Sequence, residues 1–333
     1  MQQSFGVTVT DRGAIILSKS ISVDGYADGA IVRVVTHIHS DHLLDLSRSI
    51  RYAEFIAATP LTLDLLGALG HRIPEHKKLP MPIGMKVQVD DGVLRLVRAR
   101  HIPGSASVVF ESSEFSAGYT GDFKLPGTDI LRGLDVLVID ATYGLPEWVR
   151  PWQEEIDYLL ADIVLDELRK GSPVHIYAYN GKIEEVMLLL REMGVDAPYL
   201  VGVRHYRVLR VLEKHGYRIG DVVLESSREG WEVKRSRWYI RFSHYNGWRH
   251  SNGRDAVHIL LTGWEFSEPY KRLSTNRLIV SFSDHADFSQ LVEYVKEAKP
   301  KLLLVDSYRG GRAARVFALY VSRRLNIPAL AVP

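Results

Sequence analysis

Apolar and polar positions alternate in short runs through the first half of the chain. "VTVT" (7–10), "GAIILS" (13–18), "IVRVV" (31–35), "KVQVDDGVLRLVRA" (86–99), "SVVFES" (107–112) and "LDVLVID" (134–140) carry β-branched residues with a period of two, which predicts strands. The "DDG" at 90–92 predicts a hairpin turn inside the fourth of these runs. Helices are interleaved. "TPLTLDLLGALG" (59–70) opens on Thr-Pro and stops on Gly70, and "PWQEEIDYLLADIVLDELRKG" (151–171) opens on Pro151 and stops on Gly171. Strands mixed with helices in this way predict layered sheets covered by helices, an α/β class.

From about residue 149 the texture changes. "SPVHIYAYNGKIEEVMLLLREMG" reads as strand, turn and helix, and "LVGVRHYRVLRVLEKHGYRI" holds a second amphipathic stretch. Short strands return near 275 with "RLIVSFS" and "KLLLVDS", on either side of the helical "FSQLVEYVKEA". This pattern predicts two domains: a discontinuous one of residues 1–148 and 275–333, and an inserted one of residues 149–274.

Composition narrows the chemistry. A chain of 333 residues with 46% hydrophobic and 25% charged content is typical of a globular protein. The net charge of +2 demands no polyanionic partner, so a nucleic-acid surface has to be a local patch. There is no cysteine, which excludes disulfides, thiolate metal sites and a cysteine nucleophile. The first twenty residues lack a signal-peptide pattern and no run is long enough to span a bilayer, so a cytoplasmic protein without membrane contact is expected.

The densest chemistry is "THIHSDH" at 36–42, with His37, His39, Asp41 and His42 just beyond a predicted strand end. Borderline divalent cations take imidazole nitrogen and carboxylate oxygen, and histidines two apart point to one side of an extended segment. Asp41 and His42 then face another direction, so one loop could serve two adjacent cations. A solvated polar turn is the plain alternative. His101, in "RARHIPGSASVVF", and Asp122, in "YTGDFKL", also fall between predicted strands. A carboxylate at Asp122 can bridge two cations, as an imidazole cannot; singly, each residue is also compatible with an ordinary loop.

Taken in order, "THIHSDH", "HIPGSA", "TGDF", "DATYG" and "SFSDHADF" resemble the metallo-β-lactamase-fold nucleases of the β-CASP group. "AATPLTLDLL", "DATYGLPEW", "YAYNGKIEEV", "LTGWEF" and "SDHADFSQL" are similar to the ligase-associated DNA exonucleases and the Artemis-like repair nucleases of that group. The resemblance implies an αββα sandwich with an inserted β-CASP cap. It implies that His37, His39, His101 and Asp122 hold one Zn²⁺, and that Asp41, His42 and the bridging Asp122 hold a second, where Mn²⁺ or Mg²⁺ could also bind. It pairs Asp140 with His285 for proton transfer, so the catalytic set is Asp41, Asp140 and His285. Members that act on RNA usually carry a further histidine ligand after the "SDHADF" motif; Asp306, in "LLLVDSYRGG", stands there instead. Asp306 is therefore a candidate ligand of the second cation, one that favours harder ions and tilts the substrate toward DNA.

For the inserted domain, residues 228–254 hold seven Lys or Arg and six aromatic residues against two acidic ones, which suits a single-stranded nucleic acid. An amphipathic β-hairpin would have a similar composition. Lys182 stands at a predicted helix start and is a candidate for a terminal phosphate; Thr262, Gly263 and Tyr143 are further candidate substrate contacts. The expected function is a metal-dependent phosphodiesterase acting on DNA, as a repair exonuclease, with a DNA ligase or helicase as partner by resemblance alone. The alternatives are a β-CASP ribonuclease and a glyoxalase-like thioester hydrolase on the same fold.

Overall fold

The computed structural model describes residues 6–89, 92–251, 253 and 255–333. The chain divides into two compact units, Met1–Val149 with Asp284–Pro333, and Arg150–Ser283. The strands Lys86–Val89 and Gly92–Arg98 pair antiparallel. The expected turn between them includes Asp90 and Asp91, which lie outside the described residues.

Among the described residues, the first unit is built on two sheets. The six-stranded sheet runs Thr8–Val9, Ile15–Ile16, Ile21–Val23, Val32–Val34, Phe55–Ala58 and Lys78–Pro80 in spatial order, antiparallel at its start and parallel from Ile21 onward. The seven-stranded sheet runs Ala329–Val332, Leu302–Asp306, Val136–Ile139, Ser116–Tyr119, Ala106–Glu111, Gly92–Arg98 and Lys86–Val89. Its first four strands are parallel and the rest antiparallel.

Period-two alternation sorts the side chains of the second sheet between two cores. Val136, Val138 and Leu304 join Leu94, Leu96, Val108 and Phe110 against Ile15, Val32 and Val34 of the first sheet. The opposite face, with Leu137, Ile139, Leu303 and Val305, is covered by Phe288, Leu291, Val295, Ala314 and Phe317. Those residues come from the helices Phe288–Ala298 and Ser307–Tyr320. Leu61, Leu63, Leu65 and Leu66 of the helix Pro60–Ala68 are buried as well. The result is an αββα sandwich in which the strand ends carry the loops of interest.

Among the described residues, the second unit has one seven-stranded sheet. Its order is Val222–Leu224, Tyr199–Val201, Ile240–His244, Val174–Ala178, Val257–Leu261, Arg277–Val280 and Tyr270–Ser274. All pairings are parallel except the last, which is antiparallel. The strand Arg277–Val280 pairs with Val257–Leu261, so "RLIVSFS" belongs to the inserted unit, which ends at Ser283 where the sequence pattern placed its end at Ser274. Strand character alone could not say which sheet that run would join.

Residues 228–251 are not a hairpin. They form the helix Arg228–Ser236, the strand Ile240–His244 and the 3₁₀ turn Tyr245–His250. Ser227 caps the helix by accepting from the Gly230 N–H at 3.0 Å, a local signal the alternation pattern hides. No helix among the described residues is long and apolar enough to cross a membrane.

Candidate metal centre

The cluster sits on loops that leave the two sheets of the first unit. Beyond Val32–Val34, Thr36 is held by Asp24, whose Oδ1 accepts from the Thr36 N–H at 2.9 Å and whose Oδ2 accepts from the Thr36 hydroxyl at 2.5 Å. Asp24 is fully buried in a left-handed conformation, φ 53°. Its Oδ2 is also 2.7 Å from His42 Nδ1, so one carboxylate fixes both ends of "THIHSDH". The 3₁₀ turn Ser40–His42 brings His42 back beneath His37, with ring centroids 4.0 Å apart.

The His101 loop is fastened to the helix Pro60–Ala68. Thr59 caps that helix, and the hydroxyls of Thr59 and Thr62 both lie 2.8 Å from the Gly104 carbonyl oxygen. Thus "TPLT" and "HIPGS" form one structural device. Asp122 follows the strand Ser116–Tyr119 through Gly121 at φ 60°, where a Cβ would lie 3.2 Å from the Ala106 carbonyl oxygen.

These loops gather His37, His39, His101 and Asp122 so that one donor atom from each lies within 4.8 Å of the others. Asp122 Oδ2 is 3.5 Å from His37 Nε2, 3.6 Å from His101 Nε2 and 3.2 Å from His42 Nε2. The outer ring nitrogens are already committed: His101 Nδ1 to the Asp284 carbonyl oxygen at 2.9 Å, His42 Nδ1 to Asp24, and His37 Nδ1 to the Thr36 hydroxyl at 3.0 Å. Such outer contacts fix the tautomer that leaves Nε2 free to bind a cation. His37 Nε2 and His42 Nε2 are buried and make no hydrogen bond, an arrangement that is costly unless a ligand completes it. The donor set fits a divalent cation.

Burial holds the His37 and His39 imidazoles below their usual pKa and brings His101 down to about 3. At His42 burial again opposes the charge, but the Asp122 and Asp24 carboxylates outweigh it and raise the imidazole to about 10. Asp122 is held well below the ordinary carboxylate range: burial works against its charge, but His42 and His285 overcome it.

Asp140, just past the strand Val136–Ile139, accepts from the Thr142 N–H and hydroxyl through Oδ1. Its Oδ2 lies 3.2 Å from His285 Nδ1, while His285 Nε2 lies 3.8 Å from Asp122 Oδ2. His285 is raised to about 9 because the Asp122 charge and the Asp140 hydrogen bond outweigh burial. Tyr143 is only 3% exposed, with its ring edge-on to His285 at 5.9 Å, so it packs against this pair instead of facing solvent.

Two expected ligands stand apart from the four-residue group. Asp41 has a 56% exposed side chain, with Oδ2 3.7 Å from His42 Nε2. Asp306 is engaged elsewhere. It caps the helix Ser307–Tyr320, and its Oδ2 accepts from Arg309 Nη1 at 2.7 Å. Arg309 Nη2 then reaches the carbonyl oxygens of Gly13, Asp24 and Asp41 at 3.0, 3.2 and 2.8 Å. Sequence reasoning missed Asp24, Arg309 and the Asp284 carbonyl, since an aspartate before glycine reads as a turn and backbone acceptors leave no sequence signal.

Lys182, Thr262 and Gly263 belong to the second unit. Lys182 is 5% exposed at the first turn of the helix Lys182–Glu192. Thr262 Oγ1 accepts from the Trp264 N–H at 3.1 Å, and the Gly263 carbonyl accepts from Arg150 Nη1 at 2.8 Å.

Residues 27–202 match the family described as the β-lactamase superfamily domain. A protein of Acidianus ambivalens described as an uncharacterized protein in the lig 3′ region is 44% identical over 136 residues, 40% of this chain and 96% of that one. The 5′ exonuclease Apollo of Gallus gallus is 27% identical, covering 97% of this chain and 69% of its own. A protein named probable RNase MJ4, from Methanocaldococcus jannaschii, is 24% identical over 68% of this chain and 64% of its own length. A crystal structure of a protein of unknown function from Enterococcus faecalis V583 has the same fold, with TM-score 0.57 and 12% identity over 85% of this chain and 76% of that one. The sandwich, the buried histidine and aspartate cluster and these matches together show that the chain belongs to the β-lactamase superfamily, among the metallo-β-lactamase-fold nucleases of the β-CASP group.

Proposed function

We propose that this protein is a metal-dependent phosphodiesterase that digests DNA from its ends, as an exonuclease in DNA repair. The observation that carries the reading is the Asp140–His285 pair set against the Asp122 edge of the histidine cluster. His37, His39, His101 and Asp122 would hold a first cation, read as Zn²⁺. Asp41 and His42 with Asp122 would hold a second, where Mn²⁺ or Mg²⁺ also suits the oxygen donors. Asp306 is left out of this set because Arg309 engages its carboxylate.

Bound cations supply charge to the phosphoryl oxygens and acidify a water for attack. The rest falls to the chain. Asp140 orients the His285 ring by accepting from Nδ1–H, which leaves Nε2–H facing the cluster to give its proton to the leaving oxygen. Buried His37 and His101, fixed from outside by Thr36 and by Asp284, keep the reacting geometry from relaxing. Lys182, Thr262 and Gly263 remain proposed contacts to the nucleic acid, and Tyr143 a contact through His285.

DNA is favoured by the resemblance to ligase-associated exonucleases, and the relative named for the lig 3′ region supports a DNA ligase as partner. RNA is the second reading, favoured by the relative named as an RNase. A cytoplasmic location goes with either. The test is digestion of 5′- and 3′-labelled single-stranded DNA and RNA across Zn²⁺, Mn²⁺ and Mg²⁺. Chelator-sensitive shortening of DNA from one end is expected; faster cleavage of matched RNA would move the assignment to a ribonuclease, and cleavage of neither would end the nuclease reading.

A further inference from the structure

In the second unit, Val174–Ala178 and Ile240–His244 are neighbouring parallel strands, with Ala178 opposite His244. The residues that leave them at their carboxyl ends, Tyr179 and Tyr245, are therefore side by side. Their rings are stacked, with centroids 4.9 Å apart and planes inclined by 10°. Tyr179 is nevertheless 50% exposed, and His244 meets it edge-on at 5.7 Å. His244 Nδ1 accepts from the Asn246 N–H at 3.3 Å, which fixes the turn that carries Tyr245.

The flanking strands add to the same edge. Tyr199–Val201, beside Ile240–His244, leads into Val203, which is 50% exposed, and the exposed Arg204. Val257–Leu261, on the other side, leads into Trp264, which is 59% exposed. Two carboxylates along this edge are paired. Glu184 is buried against His205 and the Gly181 N–H, and Glu265 pairs with Lys271 at 2.7 Å. Exposed aromatic faces, the exposed Arg204 and the paired Glu184 and Glu265 suit a strand of phosphodiesters with unpaired bases, at the sheet edge where parallel α/β units bind ligands.

We propose that the Tyr179–Tyr245 stack is a base-stacking platform for single-stranded nucleic acid, with Tyr179 receiving the base. This rests on the nuclease reading and adds a recognition element to it. The compositional expectation for residues 228–254 is thereby moved: Tyr245 carries it together with Tyr179, a residue outside that segment.

The test is binding by the full chain in excess chelator, so that no cleavage intervenes, read by fluorescence anisotropy of labelled single-stranded DNA and RNA. Tyr179→Ala should weaken binding by about tenfold or more, while Tyr179→Phe, which keeps the ring, should stay within about twofold. A strand made of abasic sites should bind wild type and Tyr179→Ala alike. Equal affinity of wild type and Tyr179→Ala for a strand with bases, with Tyr179→Ala folded by circular dichroism, would overturn the platform and leave the nuclease reading standing. If wild type binds neither nucleic acid at low salt, both fall together.

Discussion

Arg309 Nη1 stands 2.7 Å from Asp306 Oδ2 in a pair that is 5% and 1% exposed. The carboxylate expected to hold a second cation instead holds a guanidinium, and that guanidinium ties down the backbone of Gly13, Asp24 and Asp41. Asp306→Ala leaves a buried cation without its partner, which costs about 3–5 kcal/mol. Asp306→Asn, which keeps an acceptor for Arg309, should cost less. Metal analysis of Asp306→Asn should give the wild-type number of cations per chain. Loss of a full equivalent would return Asp306 to the ligand set.

Asp24 holds the cluster through Thr36 and His42. Removing a contact that orients a ligand typically lowers cation affinity by roughly 10–100-fold. Asp24→Ala should do this in a chelator-competition titration. Unchanged affinity in a folded variant would mean that the His42 ring is fixed by packing alone.

The donors of "THIHSDH" were legible in the sequence because they are crowded at a predicted strand end, whereas His101 and Asp122 were grouped with them through the family motifs. Asp140 and His285 are 145 positions apart and were found through family motifs, not spacing. Asp306 shows where that route stops. A carboxylate three residues before an arginine can face a metal or its own helix, and the choice is made by the carbonyls of Gly13, Asp24 and Asp41, which draw Arg309 inward. The strand Arg277–Val280 was recognisable as a strand, but the sheet it joins depends on pairing with Val257–Leu261.

Asp140→Asn keeps the size of the side chain but removes the charge that orients His285. Turnover should fall by roughly 10²–10⁴-fold, the usual share of general acid–base catalysis. The number of bound cations should stay as in wild type, because Asp140 Oδ1 is engaged by Thr142 and its Oδ2 by His285 Nδ1, outside the group of His37, His39, His101 and Asp122. A parallel loss of cations would recast Asp140 as a ligand.

Gly104 adopts φ +92°, and a Cβ there would lie 2.7 Å from Thr62 Oγ1. Gly104→Ala therefore strains the backbone and pushes on the threonine pair that holds the His101 loop, at about 1–3 kcal/mol. Denaturant unfolding should show this loss. Thr62→Ser, which keeps the hydroxyl, should not.

Glu184 contributes to the pH dependence of the second unit. Burial opposes its charge, but the contact with His205 Nδ1 at 2.9 Å and the Gly181 N–H at 2.6 Å hold its carboxyl below the usual range. A carboxylate with a depressed folded pKa contributes its full stabilisation above the unfolded value, about 4.3, and loses it as pH falls through the folded value. Glu184→Gln removes this contribution, about 1.5–3 kcal/mol for a buried charge-assisted hydrogen bond. The stability gap between wild type and Glu184→Gln should be constant from neutral pH down to about 5 and should narrow below about 4. Unfolding midpoints measured for both proteins across that range check the sign, since a gap that widened on acidification would mean that the carboxyl is protonated in the folded protein and that the His205 contact does not hold its charge.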